Sequence, residues 1–386
     1  MSNRRSFIKT SAAAAAGLGI SSSLSASILS PSGVLGANDR INVALIGCRN
    51  MGWYDLEDIL KQPNVECHTL CDVDGNVLED KLKNFPMNAG PTPNITMDYR
   101  MVLDNKDIDA VIIGTPDHWH CLPTVEACEA GKHVYVEKPL ANSVGEINVM
   151  LDAARKYKSL VQVGQQQRSG SHWLSAINFV KSGKLGTIRQ VKFWGNFNYG
   201  AGNMPVPDSE VPEGVDYDRW LGPAPKRPFN KNRFHGSWRM FRDYGGGLLS
   251  DWGVHLIDMG LWAMDVKSAP VSVQALGGNY ASRDRALEMP DTLSVLYEMD
   301  GYNMIWEHNG GVERGPYDQS YGVKFIGSNG TLVADRDRWR VFPESSGEEL
   351  RMEAVPEQKS DYKSHLNHCE NFVRAIRYGD SLNAEI

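Results

Sequence analysis

Two short stretches of this chain carry side chains suited to holding a hydroxyl group and moving its proton. Glu137-Lys138-Pro139 ends an apolar run that begins at His133, which puts a lysine at the end of a strand. An ammonium held there can donate a hydrogen bond to a substrate hydroxyl and stabilise an alkoxide as hydride leaves. The second stretch, Gly245 to Asp258, contains Asp251, His255 and Asp258. If residues 248–264 form a helix, these three fall on one stripe at i, i+4 and i+7, with Leu249, Trp252 and Leu256 on another face. An imidazole between carboxylates suits a general base near neutral pH, because the carboxylate fixes the tautomer and stabilises imidazolium. Each stretch alone also has a plainer reading: a surface lysine at a strand end, and an Asp–His pair capping a buried helix.

A third stretch is placed to hold a dinucleotide. Gly47-Cys48-Arg49-Asn50-Met51-Gly52 follows the apolar run at 41–46, where a Gly-x-Gly-x-x-Gly fingerprint would stand. Arg49 replaces the middle glycine, which normally lets the backbone approach a pyrophosphate. Asp72 ends the next apolar run, 20 residues after Gly52. A carboxylate there bonds the adenosine ribose hydroxyls and repels a 2′-phosphate, which favours NAD over NADP. Arg49 over the pyrophosphate or against the adenine would keep NADP open. A tight strand–helix turn in some other doubly wound protein is the plainer alternative.

The elements that would position these residues follow from periodicity. Apolar runs at 41–46, 65–71, 110–114, 133–136 and 160–164 alternate with segments of helical spacing starting near Met51 and at 77–85, 99–103, 122–130 and 147–157. This alternation predicts βαβ units and a doubly wound parallel sheet, a Rossmann domain over residues 40–164. Residues 165–386 read differently. A helix at 171–181 and a strand at 187–197 precede a long loop between Tyr199 and Trp238, with six prolines from Pro205 to Pro228. Loops of that length are usually functional. Strand candidates at 271–276, 292–299, 302–308, 323–326, 331–334 and 339–342 then follow with no helix between them, and residues 361–378 close as a helix. That order favours an α+β domain built on a mostly antiparallel sheet. Ala384-Glu385-Ile386 carries no capping signal, so a truncated C-terminus is an expectation.

The chain has 386 residues, 41% of them apolar and 23% charged, which excludes wholesale disorder. Its 40 basic and 47 acidic residues give a net charge of −7. Residues 1–37 hold Arg4, Arg5 and Lys9 and no acid, leaving 37 basic against 47 acidic groups in the rest. That balance argues against a nucleic-acid or anionic-membrane partner. Arg4-Arg5 before a weakly apolar Ala/Ser/Gly-rich segment reads as a twin-arginine export signal ending near Gly36-Ala37, which predicts a periplasmic protein with no membrane anchor. The six cysteines are expected to be buried free thiols, because five lie in the nucleotide domain and twin-arginine cargo folds in reducing cytosol.

In order, the strand–glycine loop, Thr115-Pro116-Asp117-His118-Trp119-His120, Glu137-Lys138-Pro139 and Asp251-x-x-x-His255 resemble the Gfo/Idh/MocA family, the relatives of glucose–fructose oxidoreductase and inositol dehydrogenase. The similarity spans roughly residues 40 to 380. It implies a Rossmann domain followed by an α/β domain whose large open sheet mediates a homodimer or homotetramer. It implies catalytic roles for three residues: Lys138 positions the reacting hydroxyl, His255 accepts the proton and Asp251 orients the pair. For NAD it implies contacts from Gly47, Arg49, Asn50, Met51, Gly52 and Asp72. Thr115, Pro116, His118, Trp119, His120, Glu137, Lys138 and Gln166 would border the nicotinamide end. Arg168 would face the substrate, a sugar or glycoside, together with Lys138, Asp251 and His255. Trp238 from the Pro-rich segment would add an aromatic wall, with ordinary loop packing as the alternative. Neither His118-x-His120 with Cys121 nor His365-x-x-His368-Cys369 has the paired spacing of a zinc site, so no metal is expected.

Export sharpens the expectation. No free nicotinamide pool exists outside the cytosol, so NAD is expected to load during folding and stay bound. Two cycles then close: hydride transfer between a sugar and bound NAD with return to a second acceptor, or a redox-neutral glycosidase or lyase acting through a transient 3-keto sugar. The NAD-dependent α-N-acetylgalactosaminidases resemble this family and use the second cycle, but their pattern typically lacks the lysine of Glu-Lys-Pro. Lys138 therefore favours net oxidoreduction. A nucleotide- or sugar-binding protein without turnover is the non-enzymatic alternative, against which Lys138, Asp251 and His255 stand.

Overall fold

The first six strands form one parallel sheet because their apolar runs are buried on both faces. The computed structural model describes residues 40–86 and 89–386; the export signal expected over residues 1–37 lies outside the described residues. Strands β1 (Ile41–Ile46), β2 (Val65–Cys71), β3 (Asn94–Thr96), β4 (Ala110–Ile113), β5 (His133–Val136) and β6 (Val161–Val163) pair in the order β3-β2-β1-β4-β5-β6. Every pair is parallel. This is the Rossmann order, and it reverses between β1 and β4, where ligands sit beyond the carboxyl ends of the strands. The three residues of β3, two of them exposed, carry no legible period, which is why the sequence reading has five strands rather than six.

Helices cover both faces as the apolar spacing predicts. Asn50–Ile59 and the last helix, Ser364–Tyr378, share a core with β1 and β2 that includes Leu45, Leu56, Leu70, Cys369 and Phe372. Cys121–Glu129 and Val144–Tyr157 pack on the opposite face. The start of Val144–Tyr157 is fixed by a capping box, Ser143 with Glu146.

The second layer is an eight-stranded sheet. Strands β7 (Ile188–Phe197), β8 (Ser272–Gly278), β9 (Thr292–Met299), β10 (Tyr302–Gly310), β11 (Tyr321–Gly327), β12 (Gly330–Ala334) and β13 (Arg338–Pro343) run in the order β13-β12-β11-β7-β10-β9-β8, with the two-residue strand Gln358–Lys359 beyond β13. Only β7 and β10 pair in parallel. One face is covered by Ser171–Lys181 and Val254–Ala263, burying Trp173, Phe193, Met259, Trp306 and Phe325. The edge at β8 leaves Val273 and Leu276 exposed. No helix among the described residues is long and apolar enough to cross a membrane.

Chain order and layer order part company at the end. Residues 165–386 were expected to form the second domain, yet Ser364–Tyr378 returns to the first sheet. Val163 N–H then donates to the Ala384 carbonyl at 2.9 Å, and Ile386 N–H to the Val161 carbonyl at 3.2 Å. An amphipathic helix reads the same whichever sheet it covers, so its period could not reveal this. All six cysteines are free thiols, five of them buried.

One buried ion pair fastens the returning helix. His365 donates through Nδ1 to Asp58 at 2.6 Å and through Nε2 to Asp55 at 2.8 Å, while Asp55 is fully buried. Asp55, His365 and Cys369 offer a possible ligand set by distance, but both imidazole nitrogens are spent on carboxylates. Burial opposes the imidazolium, yet its bonds to Asp55 and Asp58 outweigh burial and hold His365 at about 10. A histidine raised this way contributes stability in full below about pH 6.5 and loses it as pH rises through about 10. His365→Ala is expected to cost about 3 kcal/mol near neutral pH, since it strands the Asp55 carboxylate. Denaturant unfolding checks this; an unchanged midpoint would show the pair to be idle.

Candidate active site

The glycine loop and the end of β4 meet backbone to backbone. Gly47 has φ +91°, and a Cβ there would lie 2.7 Å from the Gly114 carbonyl carbon. A Cβ on Gly114 would lie 2.4 Å from the Gly52 Cα. Arg49, by contrast, is extended at φ −107° and exposed, so the backbone there needs no glycine. The loop, the carboxyl ends of β1, β2 and β4, and the start of Asn50–Ile59 border an open cleft enclosing about 1110 Å³, solvent included.

Of the expected cofactor residues, Gly47, Arg49, Asn50, Met51, Asp72, Thr115, Pro116, Trp119, Glu137 and Lys138 line this cleft, as does Trp238. Gly52, His118, His120 and Gln166 do not. Gly52 packs beneath the loop against Gly114. His118 meets the Trp220 carbonyl through Nε2 at 3.0 Å. His120 lies between the Pro139 and Thr115 carbonyls at 2.6 and 2.9 Å. Burial pushes both imidazoles down to about 4; as a neutral ring His118 can donate to its one carbonyl, whereas a neutral His120 can donate to only one of its two. Gln166 begins a short 3₁₀ turn after β6, its Oε1 buried.

The cleft fits a dinucleotide on its own atoms. Asp72 accepts the Cys48 N–H at 2.8 Å and the Asp74 N–H at 3.1 Å, which fixes its carboxylate at the end of β2. Burial raises it to about 6, against those hydrogen bonds. At the other end, Thr115 Oγ1 and Glu137 Oε1 are buried without hydrogen-bond partners among the described residues. Such orphaned groups are uncommon in a folded interior and are satisfied by a polar ligand.

The Pro-rich segment crosses the mouth of this cleft. Gly75 N–H donates to the Gly214 carbonyl and Asp216 N–H to the Val73 carbonyl, both at 2.8 Å. Arg219 bonds the Met97 carbonyl at 3.0 Å, and Trp119 Nε1 donates to the Trp220 carbonyl at 2.8 Å. His235 Nε2 meets Asp74 at 2.7 Å. Most of its aromatic residues serve its own packing: Tyr217, Trp220, Phe229 and Phe234 form a separate core with Tyr244. Trp220, His235 and Trp238 also face the cleft.

The polar centre sits where β5 ends. Lys138 Nζ donates to Asp251 Oδ1 at 2.6 Å and to the Asp251 carbonyl at 2.9 Å, with both side chains largely buried. Tyr199 O–H donates to Asp251 Oδ2 at 2.5 Å, and Arg239 Nε lies 3.2 Å from Oδ1. Asp251 is buried, which alone would raise its pKa, but Lys138 and Arg239 hold it well below the carboxylate range. Burial raises Asp117 to about 8 despite Arg239 and Lys138, and raises Glu137 to about 8.

Here the expected stripe is corrected. Leu249–Gly253 is a π-helical turn, and the α-helix begins only at Val254. The wider turn breaks the i, i+4 relation, so Asp251 bonds Lys138, Tyr199 and Arg239 rather than His255. Such turns concentrate at functional sites. Asp258 likewise leaves His255 and takes Arg168 in a two-bond fork at 2.6 and 2.8 Å, which occupies one edge of its guanidinium. His255 is 3% exposed, with Nδ1 unpartnered among the described residues. Burial drives its pKa well below 6.5, and Lys138 and Arg336 add to that shift. The ring is therefore neutral and in the electrostatic neighbourhood of the lysine. Sequence reasoning missed Tyr199, Gln167 and Arg336, which come from separate elements. The buried Asp117 lies within a motif already singled out and gave a signal that went unused.

The comparisons with known proteins agree with this architecture. Residues 41–165 match the model of an oxidoreductase family's NAD-binding Rossmann fold, GFO_IDH_MocA, and residues 178–335 match that family's C-terminal alpha/beta domain. A glycosyl hydrolase family 109 protein of Shewanella baltica (strain OS185) is 30% identical over 202 residues, which are 48% of this chain and 44% of that protein. The chain thus spans under half the length of the curated relatives it matches. Levoglucosan dehydrogenase, solved with NADH and levoglucosan, superposes with a TM-score of 0.66 at 20% identity, covering 89% of this chain and 91% of its own. Aldose-aldose oxidoreductase from Caulobacter crescentus, complexed with glycerol, gives 0.64 at 20% identity over 90% and 92% of the two chains. With both of the family's domains matched in order over most of its length, the chain belongs to the Gfo/Idh/MocA family of NAD-binding oxidoreductases.

Proposed function

We propose that this protein oxidises a hydroxyl-bearing carbon of a sugar or glycoside with NAD held in the cleft between glycine loop and Pro-rich segment. The observation that carries the reading is the Lys138–Asp251 pair at the end of β5, joined by Tyr199 and Arg239 at the edge of that cleft. NAD, when bound, supplies a two-electron hydride acceptor. Gly47, Asn50 and Met51 would hold its pyrophosphate end, Asp72 its adenosine ribose, and Thr115 and Glu137 its nicotinamide end. Asp72 favours NAD over NADP by repelling a 2′-phosphate.

Lys138 would donate a hydrogen bond to the substrate hydroxyl, holding it in place for reaction. Asp251 fixes the ammonium, and Tyr199 and Arg239 fix Asp251. His255, neutral at physiological pH, would take the hydroxyl proton as the carbon gives up hydride, leaving a keto-sugar. The Pro-rich segment supports a cofactor that stays with the protein, which suits an exported enzyme with no nicotinamide pool to draw on.

The likeness to family 109 glycosyl hydrolases favours a second reading. In it, oxidation at the sugar's C3 acidifies the C2–H, loss of that proton expels the glycosidic leaving group, water adds at C1 of the resulting enone, and the C3 carbonyl then takes the hydride back. Lys138 favours the first. Purified protein incubated with aryl glycosides and no added NAD separates them. Keto-sugar is expected; free aglycone with no keto-sugar would establish the second reading in its place.

A further inference from the structure

Arg336 stands out among the cations of the centre because no carboxylate pairs with it among the described residues. Arg168 is forked onto Asp258, while Lys138 and Arg239 share Asp251. Arg336, two residues past β12, has its guanidinium 4.6 Å from the centre of the Trp252 ring, and its Nε donates to Gln167 Oε1 at 3.2 Å. Its two terminal nitrogens have no hydrogen bond or ion pair among the described residues. Two contacts tie it to the proposed base. Gln167 donates to the His255 carbonyl at 3.4 Å, and the Trp252 ring lies 6.1 Å from the His255 ring.

We propose that Arg336 receives a carboxylate of the substrate, so that the sugar this site takes is a uronic acid or its glycoside. The inference rests on the proposed oxidation of a sugar at this centre and names its substrate class. A half-buried guanidinium with no carboxylate partner is unfavourable, and a substrate anion removes that cost. With Nε engaged, the open edge of Arg336 presents two parallel N–H donors, a planar fork that matches the two oxygens of a carboxylate. The other acids facing the centre do not supply the missing charge. Asp251 already serves two cations, and burial holds Asp117 and Glu137 at about 8, so both carry protons at neutral pH. Tyr199 and Tyr321 are likewise kept protonated, chiefly by burial.

Calorimetric titration of the protein as purified with glucuronate, galacturonate, glucose, galactose and glucose 6-sulfate tests this. At least one uronate is expected to bind about tenfold or more tighter than its neutral partner, equivalent to about 1.4 kcal/mol. R336Q should bring that ratio close to one, and R336K, which keeps charge but loses the fork, should retain part of it. If thermal unfolding shows R336Q to be misfolded, R336K carries the comparison. Equal binding of acidic and neutral sugars, binding of neither uronate, or a preference that survives both substitutions would overturn the proposal. Tighter binding of the sulfate ester than of either uronate would overturn the carboxylate assignment. Neutral glycosides that reduce bound NAD as fast as uronides would remove the anion while leaving hydride transfer intact.

Discussion

Lys138→Ala is expected to lower sugar-dependent reduction of bound NAD by about 10²–10³-fold, the usual loss when one donor aimed at a developing oxyanion is removed. The loss should fall on kcat, because the ammonium matters most as the hydroxyl acquires alkoxide character. Cofactor content, read as NAD released on denaturation, should stay at the wild-type level, since the glycine loop and Asp72 do not depend on the lysine. The fold should survive as well. Asp251 keeps Arg239 at 3.2 Å and Tyr199 at 2.5 Å, so its buried carboxylate is not stranded. Wild-type turnover in this variant would remove Lys138 from the reaction, and loss of NAD alongside activity would make it a cofactor-binding residue instead.

His255→Ala should cost about 10²–10⁴-fold in the same assay, the range for a positioned general base. The pH dependence gives a second readout. Burial, reinforced by Lys138 and Arg336, holds the imidazole neutral well below pH 6.5. The wild-type rate should therefore plateau across neutral pH and fall only well below pH 6.5, as the ring protonates. The variant should lose that acid limb along with its rate. An acid limb near pH 6.5 would mean an exposed histidine acts as the base. The same depression has a stability consequence. His255 and His118 are neutral in the fold but take up protons in the unfolded chain below about pH 6.5, so acidification through that point should lower the unfolding free energy.

Much of the scaffold is legible from apolar spacing alone, and the exceptions have physical causes. β1, β2, β4, β5 and β6 are buried runs bounded by turn residues, which periodicity detects. β3 is too short and too exposed to do so. The helix at 361–378 is recognisable, but the sheet it covers is set by contacts such as Phe372 edge-on to Tyr135 of β5, residues about 240 apart in sequence.

The candidate site was legible in its motifs and not in its contacts. Lys138 follows from Glu-Lys-Pro at a strand end, and the cleft follows from Gly47, Gly52 and Asp72. The Asp251–His255 spacing suggested a hydrogen-bonded pair, but a π turn and an α turn give identical sequence spacing and different directions. Tyr199 and Arg336 reach the centre from the end of β7 and from just past β12, so only the folded chain brings them beside Asp251 and His255.

Direct hydride transfer is the claim on which the rest depends, and isotope transfer within the purified protein tests it. A uniformly carbon-deuterated glycoside or uronide is mixed with the protein without added cofactor, and the nicotinamide dinucleotide released on denaturation is weighed by mass spectrometry. The expected result is reduced dinucleotide carrying a single deuterium, formed in step with keto-sugar and absent from the Lys138→Ala and His255→Ala proteins. Dinucleotide that stays oxidised and unlabelled while the sugar is consumed, or a protein that releases no dinucleotide at all, would contradict the account.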